Sequence, residues 1–208
     1  MGQKIIFATG NAGKMREIRE ILDGVDMEIL SMKEAGIEAD IVEDGTSFEE
    51  NAVIKAKEVA KLLLQSAKAE HSGVIVMADD SGLEIDALNK EPGIYSARYM
   101  GEDTPYSVKS GNLIERLAGV PDEKRTARFV CAIAAVMPDG EVVTTQGVIE
   151  GRIGYEEKGD NGFGYDPIFY VPEFGCTTAQ LTEEQKNQIS HRGKALSTMK
   201  EELRKRIP

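Results

Sequence analysis

The segment Met77-Ala78-Asp79-Asp80-Ser81-Gly82 decides how the rest of this 208-residue chain is interpreted. It lies at the end of Gly73–Ala78, an apolar and β-branched run that predicts a buried strand. Two adjacent carboxylates repel each other and are costly to remove from water. The segment therefore predicts either a metal-bound acid–base site or a solvated Asp-Ser-Gly turn after a core strand.

Composition limits the classes of protein to which the chain can belong. Its length and 41% hydrophobic content predict a single domain over residues 1–208. Its 25 Lys and Arg against 36 Asp and Glu give a net charge of −11, which argues against nucleic-acid binding. No apolar run is long enough to span a membrane. We expect no signal peptide at Met1-Gly2-Gln3-Lys4, and we expect Cys131 and Cys176 to be reduced thiols of a cytoplasmic protein.

The N-terminal residues form a second chemical feature. Lys4–Thr9 predicts a buried strand, Gly10-Asn11-Ala12-Gly13 a turn, and the residues from Lys14 onward an amphipathic helix. Such an arrangement aims backbone N–H groups and a helix dipole at an anion. The glycine spacing differs from that of a P-loop. An ordinary strand-to-helix turn explains the same residues, so both interpretations stay open.

A long helix is predicted after an acidic loop. Ser47 and Glu50 have the spacing of a capping box, and the helix extends from about Phe48 to Ala69. Asn51 and Lys55 are four residues apart and share a face near its start. Glu43 precedes the helix and by itself is a solvated loop acid. It gains interest only as a partner for the two aspartates.

The second half of the chain predicts further elements and a glycine-rich loop. Thr104 and Pro105 are expected to cap a helix ending at Ala118. The remaining predictions are a hairpin of strands Arg128–Met137 and Val142–Ile149 around Asp139-Gly140, a loop from Gly151 to Gly164, and a strand Ile168–Val171.

Two polar stretches near the C-terminus suggest a ligand. Phe163 lies between glycines and can stack on a flat ring, and Asp166 can accept hydrogen bonds from ring N–H groups, although a buried aromatic corner is equally compatible. Thr182 and Gln185 predict a capped helix. Ser190–Lys194 is then a polar cluster that breaks the helical pattern. His191 belongs to this cluster, whereas His71, the second histidine of the chain, lies in a predicted polar loop and is given no functional role.

The motifs together resemble one family. They are Thr9-Gly10-Asn11-Ala12-Gly13-Lys14, Ala78-Asp79-Asp80-Ser81-Gly82-Leu83, Pro92-Gly93-Ile94-Tyr95-Ser96-Ala97-Arg98, Phe163-Gly164-Tyr165-Asp166-Pro167 and Ile189-Ser190-His191-Arg192. Each motif is weak alone, but five in this order closely resemble the inosine triphosphate pyrophosphatases, also called the Ham1 or RdgB family. The resemblance spans nearly the whole chain.

This resemblance implies a fold and an activity. The fold is α/β, elongated and two-lobed, around a long mixed β-sheet with a central substrate cleft. The activity is Mg²⁺-dependent hydrolysis of ITP, dITP and XTP to the monophosphate and pyrophosphate, which removes non-standard purines from the nucleotide pool. The resemblance also implies a homodimer.

The resemblance further implies roles for individual residues. Asp80 corresponds to the catalytic proton acceptor, Glu43 and Asp80 to the metal ligands, and Asp79 to a supporting carboxylate. The implied substrate-binding residues are Thr9, Gly10, Asn11, Ala12, Gly13, Lys14, Lys55, Ser81, Phe163, Gly164, Tyr165, Asp166, Lys186, His191 and Arg192.

Two other functions fit the sequence at this point. One is a related pyrophosphatase that prefers modified pyrimidine nucleotides. The other is a protein that senses nucleotides or binds nucleic-acid ends without turnover, and the charge of −11 argues against the nucleic-acid version.

Overall fold

The computed structural model describes residues 3–65 and 73–206. Within them, seven strands and five α-helices confirm the predicted α/β class. In chain order they are β1 (Lys4–Phe7), α1 (Ala12–Ile21), β2 (Glu28–Ser31), α2 (Phe48–Gln65), β3 (Ile75–Ile85), α3 (Tyr106–Arg116), β4 (Thr126–Val136), β5 (Val142–Ile153), β6 (Phe169–Val171), β7 (Cys176–Thr177), α4 (Glu183–Ile189) and α5 (His191–Arg206). None of these helices is both long and apolar enough to cross a membrane.

The strands form one mixed sheet, as predicted. Their order is β2-β1-β3-β4-β5-β6-β7. Strand β1 is parallel to β2 and β3, whereas β6 is antiparallel to β5 and β7. The mixture of parallel and antiparallel pairs follows from the connections, since a helix joins β1 to β2 and a short turn joins β4 to β5.

The described residues divide into two compact units. The first unit contains those up to Asp80, Cys131–Gly147 and those from Lys194 onward. The second unit contains Ser81–Val130 and Val148–Gly193. Strands β3, β4 and β5 contribute residues to both units. The single domain expected from composition stays a prediction.

The core of the first unit forms around its parallel strands. Phe7 of β1 is aligned with Met77 of β3, and both side chains are fully buried. Helix α1 packs Ile18 against this core, and α5 adds Leu196 and Met199. Because β1 and β3 are parallel and in register, the residues that follow Phe7 lie beside those that follow Met77. This places Thr9 and its neighbours close to the two aspartates.

The second unit has its own core. Phe129, Ile149 and Phe169 come from three different strands, and Leu113 of α3 packs with them. Tyr165 also belongs to this core, with 3% of its surface exposed. A turn that ends in Tyr165 is therefore anchored from beneath by apolar packing.

The central strand differs from its prediction. Strand β3 does not end at Ala78 but continues through both aspartates, Ser81 and Gly82 to Ile85. Asp79 is 1% exposed and Asp80 is 7% exposed. The interpretation of this segment as a solvated turn is therefore wrong. The carboxylates are tolerated in a buried strand because cations and an amide contact them, as described below.

Two helices begin at residues other than those predicted. Helix α1 begins at Ala12 rather than Lys14, because the Asn11 side chain caps it by accepting a hydrogen bond from the Lys14 N–H at 3.1 Å. The predicted break over Ser190–Lys194 is confirmed in part, since α4 ends at Ile189 and α5 begins at His191, which confines the break to Ser190. The Ser190 hydroxyl oxygen accepts from the Gly193 N–H at 3.0 Å and so caps the new helix.

The cap of α3 also differs. Thr104 is not its N-cap, because α3 begins at Tyr106 and Pro105 is the capping residue. The Thr104 hydroxyl instead donates to the Met100 carbonyl at 2.7 Å. The helix ends at Arg116, two residues before the predicted end.

Other predicted boundaries hold in part. The hairpin at Asp139-Gly140 is confirmed, but β5 extends to Ile153 and shortens the predicted loop, and β6 begins at Phe169. Helix α2 begins at Phe48 as predicted. Its predicted end near Ala69 lies in residues 66–72, outside the described part of the chain, as does His71.

The two capping boxes have different outcomes. The box of Thr182 and Gln185 is complete, with both reciprocal hydrogen bonds present. Ser47 accepts from the Glu50 N–H at 3.1 Å, but the Glu50 carboxylate accepts from Thr46 instead of returning to Ser47. Only half of the second box therefore forms.

Candidate active site

The turn between β1 and α1 can bind an anion. We call Thr9–Lys14 the phosphate turn. Gly10, Asn11 and Ala12 are exposed, and the positive end of the α1 dipole lies at this turn. The Asn11 N–H donates to the Thr9 hydroxyl oxygen at 3.2 Å, which holds the turn in shape. A phosphate group placed here would meet backbone N–H groups at a helix N-terminus.

Lys14 is held in place by Asp79. Its Nζ lies 2.9 Å from Asp79 Oδ2 and donates to Oδ1 at 3.1 Å. The Lys14 side chain is 20% exposed, whereas that of Asp79 is 1% exposed. Asp79 therefore orients an ammonium group that a ligand can reach, which gives the first aspartate a supporting role.

Asp80 and Glu43 converge on one point. Asp80 Oδ1 lies 3.4 Å from Lys55 Nζ, and Glu43 Oε1 lies 3.3 Å from the same nitrogen. The other oxygen of Asp80 accepts from Asn51 Nδ2 at 3.1 Å. Lys55 and Asn51 share one face of α2, as their spacing predicts. We call Glu43 and Asp80 the carboxylate pair.

The carboxylate pair perturbs the pKa values of the groups around it. Burial raises the pKa of Asp80, Lys55 opposes this change, and the negative charge of Glu43 adds to it. For Lys55, burial acts to lower the pKa, but Asp80, Asp79 and Glu43 outweigh burial and raise it. Lys55 is therefore a stable cation, and Asp80 is a stronger base than a surface aspartate.

The donor set fits Mg²⁺ together with phosphates. Within residues 3–65 and 73–206, no three His, Cys, Asp or Glu side chains are placed to hold a metal ion by themselves. Mg²⁺ prefers oxygen ligands and is usually bound by one or two carboxylates plus the phosphates of a substrate. The carboxylate pair supplies two such ligands, and Lys55 marks the point where positive charge is favoured.

A second cluster of polar groups lies in the second unit, around Asp166. One of its oxygens, Oδ2, accepts from the Phe163 N–H at 2.8 Å and from Lys186 Nζ at 2.7 Å. The other, Oδ1, accepts from the Thr178 hydroxyl at 2.9 Å. The residue is 3% exposed. Its carboxylate therefore organises the segment 162–166, which we call the Phe163 loop, and holds Lys186.

The Phe163 loop requires a glycine beside this carboxylate. Gly162 has a φ of +75°, and a Cβ there would collide with Asp166 Oδ2. Both the left-handed backbone and the close approach exclude other side chains. The loop can thus present an aromatic ring while the carboxylate beneath it remains fully hydrogen-bonded.

Two cations face the Phe163 ring. Lys186 Nζ lies 4.7 Å and Arg192 Cζ 5.5 Å from its centroid. Arg192 is 2% exposed and donates from Nη2 to the Ser81 hydroxyl oxygen at 3.0 Å. His191 stacks on Phe129, with centroids 4.9 Å apart and an interplanar angle of 19°. Donors and an aromatic ring are therefore brought together, as the substrate-binding predictions require.

Tyr165 differs in character from its neighbours in this cluster. Its hydroxyl donates to the Ser96 carbonyl at 2.9 Å, and its ring meets Tyr106 edge-on at 5.1 Å between centroids. Burial raises its pKa above the ordinary range of tyrosine. Tyr165 supports the loop from the core, so its predicted contact with substrate stays a prediction.

The predicted residues thus fall into two groups. The first unit holds the phosphate turn, Glu43, Lys55 and Asp80, and the second holds Ser81, the Phe163 loop, Lys186, His191 and Arg192. Two further residues, Asn51 and Thr178, each hydrogen-bond a buried carboxylate without having a predicted functional role. The spacing of Asn51 and Lys55 was a usable signal for the first, whereas nothing in the sequence marks the second.

Several known proteins are similar to this chain in sequence and in fold. A profile of the Ham1 family matches residues 5–202. A dITP/XTP pyrophosphatase of Clostridium perfringens is 48% identical over 202 residues, covering 97% of this chain and 98% of that protein. The Ham1 protein of Staphylococcus aureus superposes with a TM-score of 0.84 at 41% identity, covering 98% of this chain and 99% of that one. The Ham1 protein of Coxiella burnetii gives 0.84 at 38% identity, covering 98% and 99%.

The fold is α/β, and its first unit holds the carboxylate pair together with an exposed turn at the N-terminus of α1. The chain belongs to the Ham1 family, as its full-length match and its relatives show. The family resemblance of its five motifs is thereby confirmed.

Proposed function

We propose that this protein hydrolyses dITP, ITP and XTP between the α and β phosphates, releasing the nucleoside monophosphate and pyrophosphate with the help of Mg²⁺. The observation that carries this proposal is that the carboxylates of Glu43 and Asp80 both lie within 3.4 Å of Lys55 Nζ. The same unit holds the exposed phosphate turn. The names of the relatives, which are dITP/XTP pyrophosphatases, support the choice of substrate.

The phosphate turn binds the negative end of the nucleotide. Lys14 supplies a positive charge that Asp79 has oriented in advance. Its side chain therefore loses little conformational freedom when the phosphates bind. Backbone N–H groups at the start of α1 act on the same phosphate oxygens. Together they stabilise the charge that builds on the departing pyrophosphate.

Glu43 and Asp80 would hold the Mg²⁺ ion. When bound, the ion neutralises phosphate charge and makes a coordinated water more acidic. Asp80 would accept a proton from the attacking water. Lys55 contacts both carboxylates and offsets their mutual repulsion. The family resemblance assigns the same lysine to the phosphates.

The second cluster selects the base. Hypoxanthine and xanthine carry a keto oxygen at the position where adenine carries an amino group. Lys186, His191 and Arg192 supply donors for that oxygen, and Phe163 supplies a surface for stacking. Adenine would leave a buried donor unpaired, at a cost of about 1–3 kcal/mol for each donor.

A substrate panel tests this selectivity. We expect kcat/KM for dITP and XTP to exceed that for dATP by about 100-fold, since two buried donors would lose their acceptor. The measurement is pyrophosphate release from dITP, XTP, dATP and a modified pyrimidine triphosphate. Equal rates for dITP and the pyrimidine nucleotide would contradict the proposed substrate class.

Replacing Lys55 tests the metal-binding role of the carboxylate pair. We expect Lys55→Met to lower the metal-free stability by about 2 kcal/mol, because Asp80 and Glu43 lose their shared cation. Mg²⁺ should raise the melting temperature of this variant more than that of the wild type. Lys61→Met is the matched control, since Lys61 lies on the same helix with 63% of its side chain exposed. Equal Mg²⁺ effects in all three proteins would argue against the pair as the metal site.

The homodimer and the cytoplasmic location stay predictions. Sedimentation velocity measures the first directly. A nucleic acid is bound through many Lys and Arg contacts to its phosphates, whereas a small anionic ligand needs only a few local cations. The net charge of −11 therefore favours the small ligand.

A further inference from the structure

The Asn51 side chain joins the two segments that carry the carboxylate pair. It is fully buried. Its Oδ1 accepts from the Gly45 N–H at 2.9 Å, and its Nδ2 donates to Asp80 Oδ2 at 3.1 Å. Gly45 is two residues after Glu43 in the same loop. One amide therefore connects the loop of Glu43 to the strand of Asp80.

The contact with Gly45 is too close for any larger residue. A Cβ on Gly45 would lie 2.7 Å from Asn51 Oδ1 and 3.0 Å from the Asn51 backbone nitrogen. The glycine thus allows the loop to approach helix α2 at this point. Its role here is close approach, which places the N–H within hydrogen-bonding distance.

An asparagine suits this position for a chemical reason. An amide offers one acceptor and two donors on one rigid group, so it can meet an N–H on one side and a carboxylate on the other. An alanine would leave both partners without this contact. Lys55, one turn later, contacts the other oxygen of Asp80, so α2 holds both of its oxygens.

We propose that Asn51 is a positioning residue that sets the orientation of Asp80 and its separation from Glu43 for a divalent cation. The proposal rests on the function proposed above, because that function assigns the cation to these carboxylates. Groups that orient metal ligands typically change metal affinity or activity by about 10–100-fold when they are removed. Asn51 stands in that relation to Asp80 directly, and it acts on Glu43 through the loop that it holds at Gly45.

The first test replaces Asn51 by alanine. We expect Asn51→Ala to lower kcat for dITP by about 10-fold or more and to raise the half-saturating Mg²⁺ concentration by about 10-fold. We expect KM for dITP to change far less. A readout independent of turnover is Mn²⁺ binding followed by electron paramagnetic resonance, with Mn²⁺ alone and with α,β-imido-dITP. Mn²⁺ affinity should fall by a similar factor.

The matched control is Asn112→Ala in the second unit. Asn112 Oδ1 accepts from the Tyr99 hydroxyl at 2.7 Å, so this change also removes an asparagine hydrogen bond. It should leave kcat and Mn²⁺ affinity unchanged. Wild-type kcat and wild-type Mn²⁺ affinity in Asn51→Ala would overturn the proposal.

A second variant acts from the other side of the contact. Gly45→Ala keeps the amide but forces the loop away from it, so it should also weaken Mn²⁺ binding. The double variant should be little worse than either single one, because both changes break the same contact. If Asn51→Ala does not fold, Gly45→Ala decides, and wild-type behaviour overturns the proposal. A wild type that does not act on dITP refutes the proposed function, whereas the Mn²⁺ titrations still test Asn51.

Discussion

Asp80→Asn is expected to lower kcat for dITP hydrolysis by about 10³-fold while the protein remains folded. Under the proposed function, the change weakens a metal ligand and removes a proton acceptor together. It keeps the size of the side chain and an oxygen that can accept from Asn51, whose Nδ2 now donates to Asp80 at 3.1 Å. Loss of one buried negative charge also leaves Lys55 with the charges of Glu43 and Asp79.

The measurement is single-turnover hydrolysis at saturating Mg²⁺, with circular dichroism to check folding. Asp139→Asn is the matched control, because Asp139 lies in the β4–β5 turn, where its Oδ1 accepts from the Glu141 N–H at 2.9 Å. This control should keep wild-type kcat. Wild-type hydrolysis by a folded Asp80→Asn protein would remove Asp80 from the mechanism.

Lys186→Met is expected to lower the free energy of unfolding by about 3–5 kcal/mol. Lys186 Nζ lies 2.7 Å from Asp166 Oδ2, and each side chain is 5% exposed. Removal of the cation would leave the carboxylate buried with two neutral donors, the Phe163 N–H and the Thr178 hydroxyl. Breaking a buried pair costs more than the pair itself contributes, because one charge is left uncompensated.

The double variant Lys186→Met with Asp166→Asn separates this cause from lost packing. If the uncompensated charge is the reason, the double variant should be more stable than Lys186→Met alone. Urea unfolding measures the free energy of unfolding of each single variant and of the double variant. Lys158→Met is the control, because Lys158 lies in the same unit with 55% of its side chain exposed. A double variant whose loss equals the sum of the two single losses would contradict the assigned coupling.

The same pair connects stability to base selection. Asp166 holds Lys186 and the Phe163 backbone, so Asp166→Asn should weaken the preference for dITP over dATP even though its oxygens already accept from this chain. We expect this carboxylate to position the groups proposed to contact the base, and the direct base contact expected from its sequence context stays a prediction.

Sequence patterns predicted the elements where local periodicity and packing agree. The apolar run Gly73–Ala78, the strand-turn-helix order around the phosphate turn and the Thr182 capping box all depend on neighbours within a few residues. The five ordered motifs predicted the family, which the comparisons confirm. Both kinds of signal lie within short stretches of chain.

The course of β3 could not be predicted in the same way. Two adjacent aspartates locally favour a turn, but Lys14 contacts Asp79 from 65 positions earlier in the chain and Lys55 contacts Asp80 from 25 positions earlier. These long-range partners make a buried strand acceptable for charged residues. Such compensation is visible only when the fold brings the partners together.

The start of α5 follows the same logic. Polarity alone predicts that His191 and Arg192 belong to a break between helices. Both instead lie in α5 and are buried in the second unit against Phe129, Phe163 and Ser81. Thr178, which completes the hydrogen bonding of Asp166, carries no mark in the sequence. Its role depends on a loop that meets Asp166 only in the folded chain.

The proposed reaction is hydrolysis of dITP between its α and β phosphates, at the carboxylate pair and the phosphate turn. Phosphorus-31 NMR of the reaction with Mg²⁺ tests it most directly, because it identifies every phosphate product. We predict dIMP and pyrophosphate in equal amounts, with no reaction after chelation of the metal. Release of orthophosphate together with dIDP would contradict the claim.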